Sequence, residues 1–205
     1  TEACYPESEE IREIYQNIEA NRSTAAWENM ARAMLLAGYR FGSVDIQNKP
    51  LATEDTQVLA IPSAKYMHKH IQEKLVNFLN DGGSILLYGE VPTHDMEGNP
   101  CTILTEALGA KPSNMRLAGL RYFVSVYAEG WAMKLAVIRV HKAQTFDLHA
   151  EAHSILRVSG ADEVCGFDVK VGSGRAIVIA TPYTCDIDFF KQAVENLGTK
   201  VSLTN

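Results

Sequence analysis

Two spacings of apolar residues take turns along the first half of the chain. Ile11, Ile14, Tyr15 and Ile18 follow the i, i+3, i+4, i+7 stripe of an amphipathic helix, with Ser8 as a candidate N-cap. Trp27, Met30, Ala31, Met34 and Leu35 repeat the stripe, and Gly38 stands where a helix-ending glycine belongs. Phe41, Val44 and Ile46 alternate with polar residues, which predicts a strand over 40–46. Residues 57–61 form a near-continuous apolar run ending at Pro62, the pattern of a strand buried on both faces of a parallel sheet. Met67, Ile71, Leu75, Phe78 and Leu79 then mark a helix over 66–80 that stops at Gly82-Gly83. Residues 84–88 read as a second buried strand, and 102–108 as a short helix ended by Gly109. Strand, helix, strand, helix in this order predicts βαβ units and an α/β fold.

The texture changes near residue 113. From 120 to 158 no helical stripe is present; 122–126, 132–140, 144–148 and 154–158 read as short antiparallel strands, a β-rich insertion over about 113–160. Residues 167–171 and 176–180 flank Gly172-Ser173-Gly174 as a hairpin. A last helix spans 187–197, with Thr184 or Asp186 as its cap, and 201–203 is a candidate edge strand.

Composition narrows the function classes. The 205 residues are 46% hydrophobic and 21% charged, with a net charge of −6 and no Lys/Arg stripe, so neither nucleic acid nor an anionic membrane is an expected partner. No apolar stretch approaches the roughly 20 residues of a membrane span, and no signal peptide is expected. Cys4, Cys101, Cys165 and Cys185 are dispersed and form no C-x-x-C pair, which argues for reduced thiols in a cytoplasmic setting and against a zinc site. The chain opens Thr-Glu-Ala without a Met and is read as one domain, 1–205, cut from a longer polypeptide.

Four stretches are distinctive in combination: WENMARAMLLAGYRFGSVDI, IPSAKYMHKHIQEKLVNFLNDGGSILLYGEVP, DMEGNPCTILTEALGAKP and GSGRAIVIATPY. Together they resemble the domain that follows the catalytic barrel in β-galactosidases of glycoside hydrolase families 35 and 42. The resemblance covers most of 24–112 and, more loosely, 167–200. It implies a class I glutamine amidotransferase-like, flavodoxin-like fold: a parallel sheet flanked by helices. It also implies a non-catalytic role in carbohydrate metabolism, holding subunits together (a trimer in the family) and framing the active site of the parent hydrolase. A retaining β-galactosidase needs two carboxylates about 5 Å apart on a barrel of roughly 250 residues. The chain has neither that length nor eight βα repeats, so no catalytic pair, cofactor or metal is assigned to it. In such a fold a strand should precede the first helix, but residues 1–7 are not apolar enough; a missing strand would leave an open sheet edge.

A class I amidotransferase carries its nucleophilic Cys on the sharp turn after the central strand, beside backbone N–H donors. The corresponding turn here is 87–92, Leu-Tyr-Gly-Glu-Val-Pro; it holds no Cys, and Pro92 removes one N–H. Glu90 is the carboxylate available there as a base, or as a group that bonds loop amides or meets a partner. Cys101 opens a predicted helix seven residues after His94, a possible Cys–His nucleophile or a packed helix-start thiol. Trp131, at a turn between predicted strands, is a candidate for an interface or sugar contact; Trp27 reads as core. His149-Ala-Glu151-Ala-His153 lacks the Glu beside the first His that the H-E-x-x-H zinc pattern needs. His68 and His70 sit on different faces of a helix start. Asp95, Glu97 and Asn99 have oxygen spacing but no closing bidentate Glu, Asp186 and Asp188 suit a helix N-terminus, and 172–174 is a hairpin turn followed by a strand. Two other readings stand beside the accessory domain: a free-standing amidotransferase-like hydrolase using Glu90 or Cys101, and a small-ligand module using the strand ends.

Overall fold

A computed structural model describes residues 31–198, apart from 33, 41, 120–122, 134–136 and 183–186. The sequence expectations for 11–18, Trp27 and 201–203, and those for Cys4, Cys185 and Asp186, lie outside these residues. Among the described residues nine strands form one mixed sheet: β1 (Val58–Ser63), β2 (Ser84–Gly89), β3 (Ala110–Leu117), β4 (Val124–Ala128), β5 (Ile138–Val140), β6 (Lys142–Leu148), β7 (His153–Val158), β8 (Glu163–Val171) and β9 (Gly174–Ile179). The helices are α1 (Lys69–Asn80), α2 (Ile103–Ala107) and α3 (Ile187–Asn196), with a 3-10 turn at Gly130–Ala132 and helical residues at 31–32 and 34–36.

The βαβ start is present. β1 pairs parallel with β2, and β2 parallel with β9. β2 explains the continuous apolar run: Ile85 and Leu87 pack with Ile71, Leu75, Phe78 and Leu79 of α1, whereas Leu86 and Tyr88 pack with Phe189, Phe190 and Val194 of α3. Both faces of this strand are dry, so no polar alternation survives in the sequence. α1 holds its register at both ends. The buried Gln72 side chain donates to Met67 O (3.2 Å) and accepts from Leu104 N (3.4 Å). Gly82 and Gly83 return their N–H groups to Leu79 O and Phe78 O.

The expected helix-flanked, flavodoxin-like parallel sheet is corrected by the pairing. Among the described residues two strand pairs are parallel; the other six are antiparallel. The antiparallel strands run β3-β6-β8-β7-β4-β5 and curl into a half-barrel. β8 is the junction. Its C-terminal part pairs with β9, Val164 nearer its start meets Phe146 of β6, and β7 lies along its other side. The β-rich residues therefore continue the same sheet. The apolar runs and one crossover helix revealed the parallel start correctly, but a sheet's remaining strand directions are set by non-local pairing, which composition does not carry.

Two local expectations also change. The described residues of 40–46 are not a strand. The Asp45 carboxylate accepts from Gln47 N, Asn48 N and Asn48 Nδ2 (3.2, 3.2 and 2.9 Å) and turns the chain, a side-chain competition that overrides weak alternation. Lys74 of α1 donates to Ile46 O, Gln47 O and Lys49 O at 3.0–3.1 Å and ties that turn to the helix. Conversely β3 forms where no strand was expected, because it is an edge strand with six of eight residues exposed and no buried face to pattern its sequence.

β3 is joined to β8 across β6 by charge. Arg116 meets Glu163 with both nitrogens (Nε 2.7 Å, Nη2 2.6 Å) and Asn114 Nδ2 donates to the same carboxylate at 3.0 Å. The Arg116 hydrogen bonds hold the Glu163 carboxyl below its ordinary value. A carboxyl whose folded pKa is depressed stabilises the fold above its unfolded value, about 4.3, and loses that contribution as pH falls through the lower folded value. Glu163→Gln is therefore expected to lower stability at pH 7, with the difference from the parent closing in acid below about pH 4. Urea unfolding across pH measures this; a gap unchanged at low pH would refute it.

Candidate functional site

The carboxyl ends of β1, β2 and β9 are the place where an open α/β sheet puts its chemistry. Gly89 ends β2 with φ +113°, and a Cβ added there would lie 2.2 Å from Ser63 O, so no side chain fits. The turn this permits sends Glu90 and Val91 toward β6. Ser63 Oγ donates to Glu90 O at 2.6 Å, and Lys142 Nζ donates to Glu90 Oε1 at 2.9 Å. The buried Gln144 side chain takes both main-chain groups of Val91, accepting from N at 2.8 Å and donating to O at 3.2 Å. Thr181 Oγ1 donates to Lys142 O at 2.8 Å, and Gln144 N donates to Ala180 O at 3.0 Å. The segments that leave β2 and β9 are thus stitched to β6, and Ser63 ties the end of β1 to the same turn. The N–H of Val91, which an oxyanion-binding turn would leave open, is occupied, and the Glu90 carboxylate is balanced by an ammonium.

Beyond Pro92 the chain forms a projection closed by its own hydrogen bonds. Thr93 O accepts from Cys101 N (2.8 Å), His94 bridges both Tyr66 and Pro100, and the Asp95 carboxylate closes the tip by accepting from Asn99 N and Nδ2 (2.8 and 3.1 Å). The sequence candidates of this region are therefore neighbours along the backbone. Cys101 is 8% exposed, and His94 Nδ1 pairs with Thr93 Oγ1 at 2.8 Å. The Tyr66 ring lies 5.8 Å from that of His94, with Lys65 Nζ 5.3 Å from its centroid.

The other candidates lie apart. Trp131 sits in the 3-10 turn between β4 and β5, its ring 5.9 Å from Phe189 and its indole N–H donated to Asp168 Oδ2 at 3.0 Å. His149 and Glu151 are on the exposed turn before β7, and His153 begins that strand. The His68 and His70 rings are 5.2 Å apart at the start of α1. Asp188 is in the first turn of α3. Burial pushes the Cys165 thiol up to about 12, which leaves it unreactive. No three His, Cys, Asp or Glu side chains among the described residues gather as a metal would require. No helix of the described residues is long and apolar enough to cross a membrane. A groove of about 420 Å³, lined in part by Glu54, Gln57, Asp81 and Ser84, opens at the amino ends of β1 and β2, away from Glu90.

Sequence reasoning names Glu90 as a candidate base but not the side chains around it. Lys142, Gln144, Ser63 and Thr181 are isolated polar positions with no shared motif. The available signal is a run of buried positions, Ala143 to Phe146, that includes a glutamine.

The family described as "GLMA-like, second domain" matches residues 9–145. A β-1,2-glucosyltransferase of Ignavibacterium album is 25% identical over 173 residues, 80% of this chain and 22% of that protein. An exo-β-D-glucosaminidase of Pyrococcus horikoshii is 29% identical over 123 residues, 57% of this chain and 14% of that protein. A β-galactosidase structure from Bacillus circulans shares the fold with a TM-score of 0.67 at 14% identity, over 85% of this chain and 26% of that one. The chain thus spans between 14% and 22% of the length of the curated relatives it matches.

Proposed function

The chain belongs to the family of GLMA-like second domains, and from that premise we propose that it is a non-catalytic accessory domain of a β-galactosidase-type glycoside hydrolase, joining subunits and framing the active site of a catalytic barrel in the same polypeptide. One observation carries this reading. The strand end where an α/β enzyme presents its nucleophile is closed by internal bonds: Val91 N–H and C=O are both held by Gln144, and Glu90 is neutralised by Lys142. A base needs a free lone pair aimed at substrate, and an oxyanion turn needs free donors. Gln144 takes both main-chain groups of Val91 and Lys142 takes one oxygen of Glu90, an arrangement that favours a framing role over catalysis. The relatives support the setting, since each is an enzyme that acts on sugars by its name and is several times longer than the match.

The chain alone should give no turnover of aryl β-galactosides, aryl β-glucosaminides or simple amides. Saturable hydrolysis lost in Glu90→Gln or Cys101→Ser would overturn the reading in favour of a hydrolase. Light scattering of the parent enzyme with and without this segment tests the joining role, which fails if the assembly survives the deletion.

A further inference from the structure

We propose that the carboxyl edge of the parallel strands, from Tyr66 through Met96 and Glu90 to Leu117, is the surface that docks on the rest of the parent polypeptide. The proposal rests on the accessory-domain reading above and names the face it uses. Nine large apolar side chains are exposed among the described residues, and four of them surround this one edge: Tyr66 (49%), Met96 (53%), Met115 (40%) and Leu117 (59%). The β3–β6 register explains two of them. Leu117 stands opposite Lys142, and Met115 opposite Gln144. Residues directly opposite in an antiparallel pair share a face, so Leu117 and Met115 lie on the side of β6 where Lys142 meets Glu90 and Gln144 meets Val91. On the other flank the His94 bridge brings Tyr66 alongside the projection, and the Asp95–Asn99 bonds hold Met96 at its tip.

The result is an apolar rim around a pre-formed ion pair. Tyr and Met are enriched in interface cores. Anchors already held in place lose little freedom on docking. The Glu90–Lys142 pair is balanced within the chain, so its partner need supply no counter-charge. The occupant follows from length. The match covers 22% of one relative and 26% of another, so in a polypeptide of that size about three quarters lies outside this chain. A tethered neighbour meets the surface at high effective concentration, and contacts between domains of one chain are modest in area and partly polar, as here.

Oxidative footprinting tests the docking without reference to activity. With dilute peroxide and hydroxyl radicals, Met96, Met115 and Tyr66 should label about fivefold more slowly in the full-length polypeptide than in this chain alone, as protection by a packed partner requires. Met133, 74% exposed and away from this edge, serves as the control and should label equally in both. Leu117→Glu should leave the thermal midpoint of the isolated chain unchanged and restore labelling of Met115 in the full-length polypeptide. Equal labelling of the three residues in both proteins overturns the proposal. So does protection that appears in the isolated chain as its concentration rises, which would assign the face to a second copy. Absence of glycosidase activity in the full-length polypeptide would instead strike the accessory-domain reading and leave the footprint to stand on its own.

Discussion

Gly89→Ala is expected to destabilise the fold strongly. The backbone at Gly89 has φ +113°, a region that costs an L-residue about 1–3 kcal/mol. The added Cβ would also run into Ser63 O, which belongs to the β1 backbone and has no rotamer by which to retreat. Relief would require β1 and β2 to separate at their carboxyl ends, where Ser63 and Gly89 are register partners. Overpacking of this kind adds about 1–3 kcal/mol, for a total near 4 kcal/mol. For a chain of this size that corresponds to a drop of roughly 10 °C in thermal midpoint. Circular dichroism melting reads it directly. A midpoint within two or so degrees of the parent would show that the turn relaxes freely and that Gly89 does not fix the course of Glu90 and Val91.

Removing the Asp168 carboxylate should come close behind. Asp168 points from β8 into the interior with 4% of its side chain exposed. It accepts from Arg175 Nε at 2.7 Å, from Arg175 Nη2, and from Trp131 Nε1 at 3.0 Å. Arg175 in turn donates to Asn196 O at 2.7 Å, at the C-terminus of α3. One carboxylate therefore binds two strands, the 3-10 turn and the last helix. Asp168→Ala strands a guanidinium and an indole N–H. Breaking one partner of a buried pair costs about 3–5 kcal/mol, and the lower figure applies because Arg175 is a third exposed and can reach water. Replacing both partners, Asp168→Leu with Arg175→Met, should recover most of that loss, since no unpaired charge remains. Urea unfolding gives the energies, and Trp131 emission should shift to the red in the single variant. A single-variant cost under about 1 kcal/mol would mean that the network contributes no more than a surface pair.

Much of the local structure was legible before the fold was known. The run at 57–61, the stripe from Ile71 to Leu79 and the run at 84–88 became β1, α1 and β2 within two or three residues, because each buries a face and burial leaves a period. The hairpin around 172–174 and the stripe of α3 were readable for the same reason. β3 was not, since an exposed edge strand has no face to protect. The expected strand at 40–46 failed because one Asp45 side chain outbids three weakly alternating residues. At the candidate site the turn after β2 could be recognised, and so could its lack of a thiol. That Glu90 meets Lys142, 52 positions away, could not.

The chain's own order of residues decided which segments become buried strands and helices, that the strand end after 88 carries no nucleophilic sulfur, and which family the chain joins. Tertiary structure alone decided that β8 belongs to two arrangements at once, that the sheet curls instead of extending in parallel, and that Gln144, Lys142 and Thr181 seal the strand ends. The reason is physical. Periodicity records only whether a residue faces water or its own segment's core, a local and repeated choice. Strand direction, register and the pairing of single polar groups are chosen once, between segments far apart in sequence, by which contacts the closed fold can satisfy together.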